Sequence, residues 1–211
     1  MINSEKFTLQ LFPTVVTIYD TDIDTSDIYK LIVSQIKQGI HAHKKSADIW
    51  QSNSKQDQYD EIAKVTDFVK LCAQEFAEQH HWNVKLEDWY IADCWWNAST
   101  GTSSTHFAHI HANSLISVVF YINMPEGAGS LLFPHPQLSI QTLKPDTTEW
   151  SILNSLEYKV TPKTGSLVVF RSNTPHMVDN NATSDLRVSL AFTLNVKNLG
   201  HTSHLARYEE S

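Results

Sequence analysis

Residues 104–123 read STHFAHIHANSLISVVFYIN. Three imidazoles, His106, His109 and His111, stand immediately ahead of an apolar run rich in β-branched residues. Such residues suit a pleated, half-buried surface, so the second half reads as a strand with a buried face. On a strand, residues i and i+2 point to the same side. His109 and His111, taken as the start of that strand, can therefore converge on one ion. A histidine-rich loop holding no metal is the competing reading of the same residues.

The same strand signal continues in both directions. NVKLEDWYIADCWWNAS, SLLFP, LEYKV, GSLVVF and LRVSLAFTLNV are further short runs after Trp82, separated by Gly, Pro, Asn and Thr, with no strong helical pattern between them. Many short strands in that arrangement predict an antiparallel sandwich or barrel such as a jelly roll. Before Trp82 the pattern differs. FTLQLFPTVVTIYD (7–20) reads as an opening strand bent at Pro13. A helix is predicted over about 26–38, with Ile28, Leu31, Ile32 and Ile36 on one face and a stop near Gly39. DTDIDTSD (20–27) resembles a calcium loop only at its start. The required glycine and bidentate glutamate positions hold Thr25 and Leu31, so these residues read as helix N-cap residues.

Residues 40–56 read as a polar, irregular, substrate-facing loop containing His41 and His43. A longer helix is predicted over about 57–81, where Ile62, Val65, Phe68, Val69, Cys72 and Phe76 recur at helical spacing. The fold class is thus α+β: a double-stranded β-helix (jelly-roll) core, mainly antiparallel, over about 84–196, with supporting helices over about 20–82. All of 1–211 reads as one domain.

Composition narrows the function classes. The formal charge is −7, from 16 basic and 23 acidic residues, and no basic cluster exceeds a pair. Nucleic acid and anionic membrane surfaces are therefore poor partners. Hydrophobic residues make up 41% of the 211 positions, enough for a sizeable core, yet no apolar run approaches a membrane span. The start of the chain lacks a signal-peptide pattern. Cys72 and Cys94 are the two cysteines, which suits a reducing cytoplasm better than a disulfide framework.

His176 follows the strand-like GSLVVF in RSNTPHMVDNN. Strands distant in sequence lie side by side in a jelly roll, so His176 can join His109 and His111. Three ligands on one face would leave open positions on an octahedral iron. Arg187 comes eleven residues later and Ser189 two beyond it. Alternation puts these two on one face, with Val188, Leu190 and Phe192 on the other. A guanidinium inside a barrel is costly unless an anion pairs with it, and a fork plus a hydroxyl is what a bound carboxylate needs. A buried Arg–Asp pair or an outward-facing arginine are the bland alternatives.

Taken in order, these features resemble the Fe(II)- and 2-oxoglutarate-dependent oxygenases. The similarity lies with a bacterial and phage group related to prolyl 4-hydroxylase and covers about 95–196. It is carried by WWNASTGTSSTHFAHIHANSLISVVFYINMPEGAGSLLFPHP and by VTPKTGSLVVFRSNTPHMVDNNATSDLRVSLAF. The resemblance implies that His109, His111 and His176 hold Fe(II). It also implies that Arg187 and Ser189 grip the distal carboxylate of 2-oxoglutarate, with Tyr121 and Asn97 lining the cosubstrate pocket. The implied reaction couples oxidative decarboxylation of 2-oxoglutarate to hydroxylation of a small-molecule or peptidyl substrate by molecular oxygen. Oligomeric state stays open, a homodimer included.

One departure stands out. The wider superfamily has a carboxylate where this chain has His111. Asp93 or Asp179 could replace one imidazole. Three-histidine iron sites also occur in dioxygenases that use no 2-oxoglutarate. The rival functions are therefore a cupin-like metal dioxygenase or hydrolase, and a jelly-roll binding module without catalysis.

Overall fold

The computed structural model describes residues 13–41, 43–46, 48–101, 106–136 and 146–197, with the side chains of 43–46 excepted. The first part of the predicted opening strand, 7–12, and the His43 side chain lie outside the described residues. Seven strands form the larger sheet, in the order β1 (Val16–Asp20), β9 (Ser166–Arg171), β6 (Ile116–Asn123), β11 (Arg187–Val196), β4 (Trp89–Ser99), β3 (Ile49–Gln51) and β2 (His43–Ser46). The smaller sheet runs β5 (His106–His109), β10 (His176–Val178), β7 (Leu131–Pro134) and β8 (Glu157–Val160). Every pairing is antiparallel. This is the jelly-roll core the strand pattern predicts.

Two helices, α1 (Ser26–Lys37) and α2 (Asp60–Gln79), cover one face of the larger sheet. Alternation along the central strands sorts the residues. Cys94, Trp96, Val118, Phe120, Leu167, Val169, Val188, Leu190 and Phe192 join Ile32, Ile62, Val69 and Phe76 in one apolar cluster beneath the helices. The opposite face carries Tyr121, Val168 and Phe170, which meet Leu131, Phe133 and Val160 in a second cluster between the sheets. That inner face is the one on which Arg187 and Ser189 fall, so the pleat alone directs them into the barrel.

The helix ends follow local chemistry. Asp24 Oδ1 accepts the Ser26 N–H at 2.9 Å. Thr25 does not cap; its hydroxyl donates to the Ile122 carbonyl at 2.9 Å and ties the start of α1 to β6. At the far end Gly39 adopts φ +71°, and N–H groups of Gly39 and Ile40 return to Ile36 and Gln35 at 3.1 and 2.9 Å. Such a left-handed closing residue satisfies the last carbonyls. The predicted helix over 57–81 resolves into a 3-10 turn, Gln56–Gln58, and α2. Cys72 is buried in its apolar stripe, and burial pushes its thiol up to about 12. It is a small core residue.

Residues 40–56 are not one irregular loop. They contain β2 and β3, a hairpin that extends the larger sheet by pairing Ile49, Trp50 and Gln51 with Ser99, Ala98 and Asn97. At four and three residues the two strands are too short to carry a periodic signal of their own; the edge of β4 supplies the template. Among the described residues, no helix is long and apolar enough to cross a membrane.

Candidate metal centre

The smaller sheet assembles two of the three histidines. β10 pairs with β5 so that His176 stands directly opposite His109, their ring centroids 4.3 Å apart. His111 arrives differently. β5 ends at His109, and His111 lies in the connection to β6, so strand alternation is not what aligns the pair. Its N–H donates to the Ser172 carbonyl at 2.8 Å, which docks the loop against the end of β9. The His111 ring then sits 5.1 Å from His109 and 5.2 Å from His176. One nitrogen from each of the three lies within 4.8 Å of the others.

Hydrogen bonds fix two of the rings. His109 Nδ1 lies 2.8 Å from the Phe107 carbonyl and His176 Nδ1 lies 2.9 Å from the Thr174 carbonyl. A carbonyl only accepts, so Nδ1 carries the proton in each ring and Nε2 keeps its lone pair. Phe170 packs edge-on against His176 at 4.7 Å, and Trp95 against His111 at 5.3 Å. Burial, and then the neighbouring His109, pulls the His111 pKa down to about 4. Burial likewise pulls His176 down to about 4, against the opposing Thr174 hydrogen bond. Both rings are neutral near pH 7, the state that ligates a cation. Three imidazoles within reach of one point suit a divalent transition ion.

The alternative carboxylates are engaged elsewhere. Asp179 Oδ2 pairs with Lys159 Nζ at 2.9 Å, and its Oδ1 accepts the Asn180 N–H. Asp93 accepts from the Ser54 hydroxyl and from the N–H groups of Lys55 and Cys94. Neither joins the cluster, which among the described residues consists of His109, His111 and His176. His106 and His135 stand outside it.

The inner face of the larger sheet holds the other predicted residues. Ser189 pairs across β11–β4 with Asn97 and across β11–β6 with Tyr121. Directly paired residues share a face, so Asn97, Ser189 and Tyr121 form one row across three strands. Arg187 is buried; its Nε donates to the Gly129 carbonyl at 3.0 Å and its Nη1 to the Ser189 hydroxyl at 3.4 Å. Its guanidinium lies 5.5 Å from the Tyr121 ring centroid. No carboxylate among the described residues comes within ion-pair distance of it. Burial pushes its pKa below the ordinary arginine range, though a guanidinium stays charged in proteins. The Tyr121 hydroxyl is buried without a hydrogen-bond partner, and burial raises its pKa to about 12. A buried cation and an orphaned donor on one apolar wall form a receptor for an anion. A dianionic keto acid fits this donor set together with a metal held by three imidazoles.

Three supporting groups escaped the sequence reading. They are the Gly129 carbonyl under Arg187, the Ser172 carbonyl that anchors His111, and the Phe170 ring against His176. Backbone carbonyls carry no residue signature. Phe170 reads as core by composition, and it is core as well.

Residues 93–193 match the protein-family model described as "Putative 2OG-Fe(II) oxygenase". No curated protein sequence matches the chain. Among solved structures, the chain is similar to a Pseudomonas putida prolyl-4-hydroxylase, at 14% identity and a TM-score of 0.60, covering 88% of this chain and 94% of that one. It is also similar to HygX from Streptomyces hygroscopicus, solved with nickel, 2-oxoglutarate and hygromycin B bound, at 10% identity and 0.59, covering 87% and 84%. A third is a Trichoplax adhaerens prolyl hydroxylase in complex with a peptide fragment of hypoxia inducible factor, at 14% identity and 0.53, covering 85% and 82%.

Proposed function

We propose that this chain is a 2OG-Fe(II) oxygenase, the family whose model residues 93–193 match, and that it couples oxidative decarboxylation of 2-oxoglutarate to hydroxylation of an organic substrate. Fe(II) and 2-oxoglutarate are its cofactors. When bound, they supply the oxidising chemistry: 2-oxoglutarate and oxygen yield succinate, carbon dioxide and one oxygen atom for the substrate. In this reading His109, His111 and His176 hold the iron. Arg187 grips the distal carboxylate of 2-oxoglutarate, Ser189 orients the guanidinium, and Tyr121 donates its free hydroxyl to the same ligand. Asn97 lines the floor of that pocket. The apolar cluster of Tyr121, Phe133, Val168 and Phe170 excludes water from the reacting region.

The observation that carries the reading is Arg187: a buried cation, without a carboxylate partner among the described residues, on the inner face that leads through Tyr121 and Phe170 to His176. The choice between a peptidyl and a small-molecule substrate stays open in this reading, since one neighbour, a prolyl hydroxylase, is in complex with a peptide fragment and another, HygX, has hygromycin B bound. Shared burial of α1 and α2 with the larger sheet supports action as a single domain. Two free, buried cysteines suit the cytoplasm.

The test is anaerobic calorimetric titration of Fe(II), then 2-oxoglutarate, into wild type and Arg187→Ala. Wild type binds both and develops the visible charge-transfer band of the chelate. Arg187→Ala loses a charge-assisted contact, worth about tenfold to hundredfold in 2-oxoglutarate affinity, and keeps its iron affinity. Arg187→Lys recovers part of the loss, because an ammonium keeps the charge without the fork. The imidazole at position 111, where the wider superfamily has a carboxylate, favours one second reading: a three-histidine iron dioxygenase that uses no 2-oxoglutarate. Iron binding without 2-oxoglutarate binding in wild type would select that reading.

A further inference from the structure

A cleft of about 380 Å³ opens beside the three histidines. His111 forms part of its wall, and Gln51, Ser52, Asn53, Ser54, Asp93 and Trp95 line the rest. The β3–β4 pairing builds it: β3 ends at Gln51, and the chain runs on beside β4, with Ser52 bonded to Trp96 and Ser54 and Lys55 bonded to Asp93. Aside from His111, Asp93 is the one ionisable group among these residues. Its carboxylate is rigidly held. Oδ1 accepts the N–H groups of Cys94 and Lys55 at 2.8 and 3.2 Å, and Oδ2 accepts the Ser54 hydroxyl at 2.9 Å. All three donors are neutral, so none of these contacts brings a cation to the carboxylate. The Lys55 ammonium turns instead to the Ala92 carbonyl, and no ion pair to Asp93 forms among the described residues. Oδ2, with one bond accepted, retains a lone pair.

A fixed carboxylate, an indole and uncharged amide and hydroxyl groups together match a protonated amine: the carboxylate takes the charge, the indole face attracts a cation, and the polar side chains accept remaining N–H groups. An anionic ligand would meet repulsion there. We propose that this cleft is the substrate subsite and that it receives the ammonium group of an amine-bearing substrate through Asp93. The assignment rests on the reading of His111 as an iron ligand, because the shared wall is what puts a molecule anchored at Asp93 next to the metal.

The test uses the full-length, metal-free, ¹⁵N-labelled protein with two probes of equal length, 1,4-diaminobutane and 1,4-butanediol. The signals followed are the Trp95 indole N–H and the backbone N–H groups of residues 51–54. The diamine is expected to shift them at a concentration at least about tenfold lower than the diol, and Asp93→Asn should abolish that difference. Asp93 also braces the loop, so a second pair of variants avoids the fold. The Asn53 side chain is exposed; Asn53→Asp should tighten diamine binding and Asn53→Lys should weaken it, each by several-fold. Equal responses to diol and diamine, or a diamine response indifferent to charge at position 53, would overturn the proposal. Iron titration of the same samples separates the two readings. A protein that binds iron and 2-oxoglutarate but not the diamine overturns this inference alone. One that binds the diamine at these signals but no iron upholds the ammonium site and overturns the metal assignment.

Discussion

The three imidazoles are not equivalent. His176 is buried on a strand and oriented by the Thr174 carbonyl, His109 is exposed and oriented by Phe107, and His111 is half-buried on a loop. His176→Ala should therefore cut iron affinity by well over the ~10–100-fold that supporting hydrogen bonds are worth. Equilibrium dialysis against Fe(II) would show it, and near-normal occupancy would remove His176 from the ligand set. His111→Asp should retain iron, since it restores a carboxylate at that place, while His111→Ala should weaken binding. Protonation provides a second handle. The pKa of His176 is about 4 in the folded protein against 6.5 for the free side chain. As the pH falls, the unfolded chain takes up the proton first. The neutral buried ring thus contributes stability that is fully present above about pH 6.5 and is lost progressively down to about pH 4. For His176 the loss is on the order of 3 kcal/mol; His111 shifts the same way but, closer to water, adds less. Urea midpoints of metal-free protein across that range would measure it, and His176→Asn should flatten the slope.

Where the exit of β10 crosses the start of β7, the two backbones approach closely. Gly129 stands just ahead of β7, and a Cβ there would lie 2.2 Å from the Asp179 carbonyl oxygen. The obstacle is backbone, so Gly129→Ala must push the two segments apart. The cost should be on the order of 2–3 kcal/mol in a urea titration, typical of an overpacked site. Gly129 also presents its carbonyl to Arg187, so the same variant should lose 2-oxoglutarate affinity more than iron affinity. A variant with wild-type stability and wild-type 2-oxoglutarate binding would mean that β7 moves freely and does not position the guanidinium. The role of this glycine in the fold is close approach.

At the scale of the molecule, the proposed site spans both sheets. His109 and His176 belong to the smaller one, Arg187, Ser189, Tyr121 and Asn97 to the larger, and His111 to the connection between them. Ligands that bind across both should stabilise the whole fold. At about 100 times its dissociation constant a ligand adds about 2.7 kcal/mol, which for a chain of this size raises Tm by roughly 5–11 °C. Anaerobic thermal scans should show one increment for iron and a second for 2-oxoglutarate. Arg187→Ala should keep the first and lose most of the second.

The sequence by itself determined the sheet class, the two helices with the Gly39 stop, and the sorting of the β11 residues onto two faces, because each rests on a local period or a local dihedral preference. It also picked out His109, His111, His176 and Arg187 as chemically odd for their surroundings. It could not supply the β2–β3 hairpin, whose short strands form because β4 offers an edge. Nor could it give the true route of His111, which strand alternation placed at the start of a strand that begins only at Ile116. The pairing of His176 with His109, the row from Asn97 through Ser189 to Tyr121, and the cleft between Asp93 and His111 all depend on register between strands far apart in the chain. Register is fixed by packing two faces at once, and that information is spread over the whole tertiary structure rather than written in any one segment.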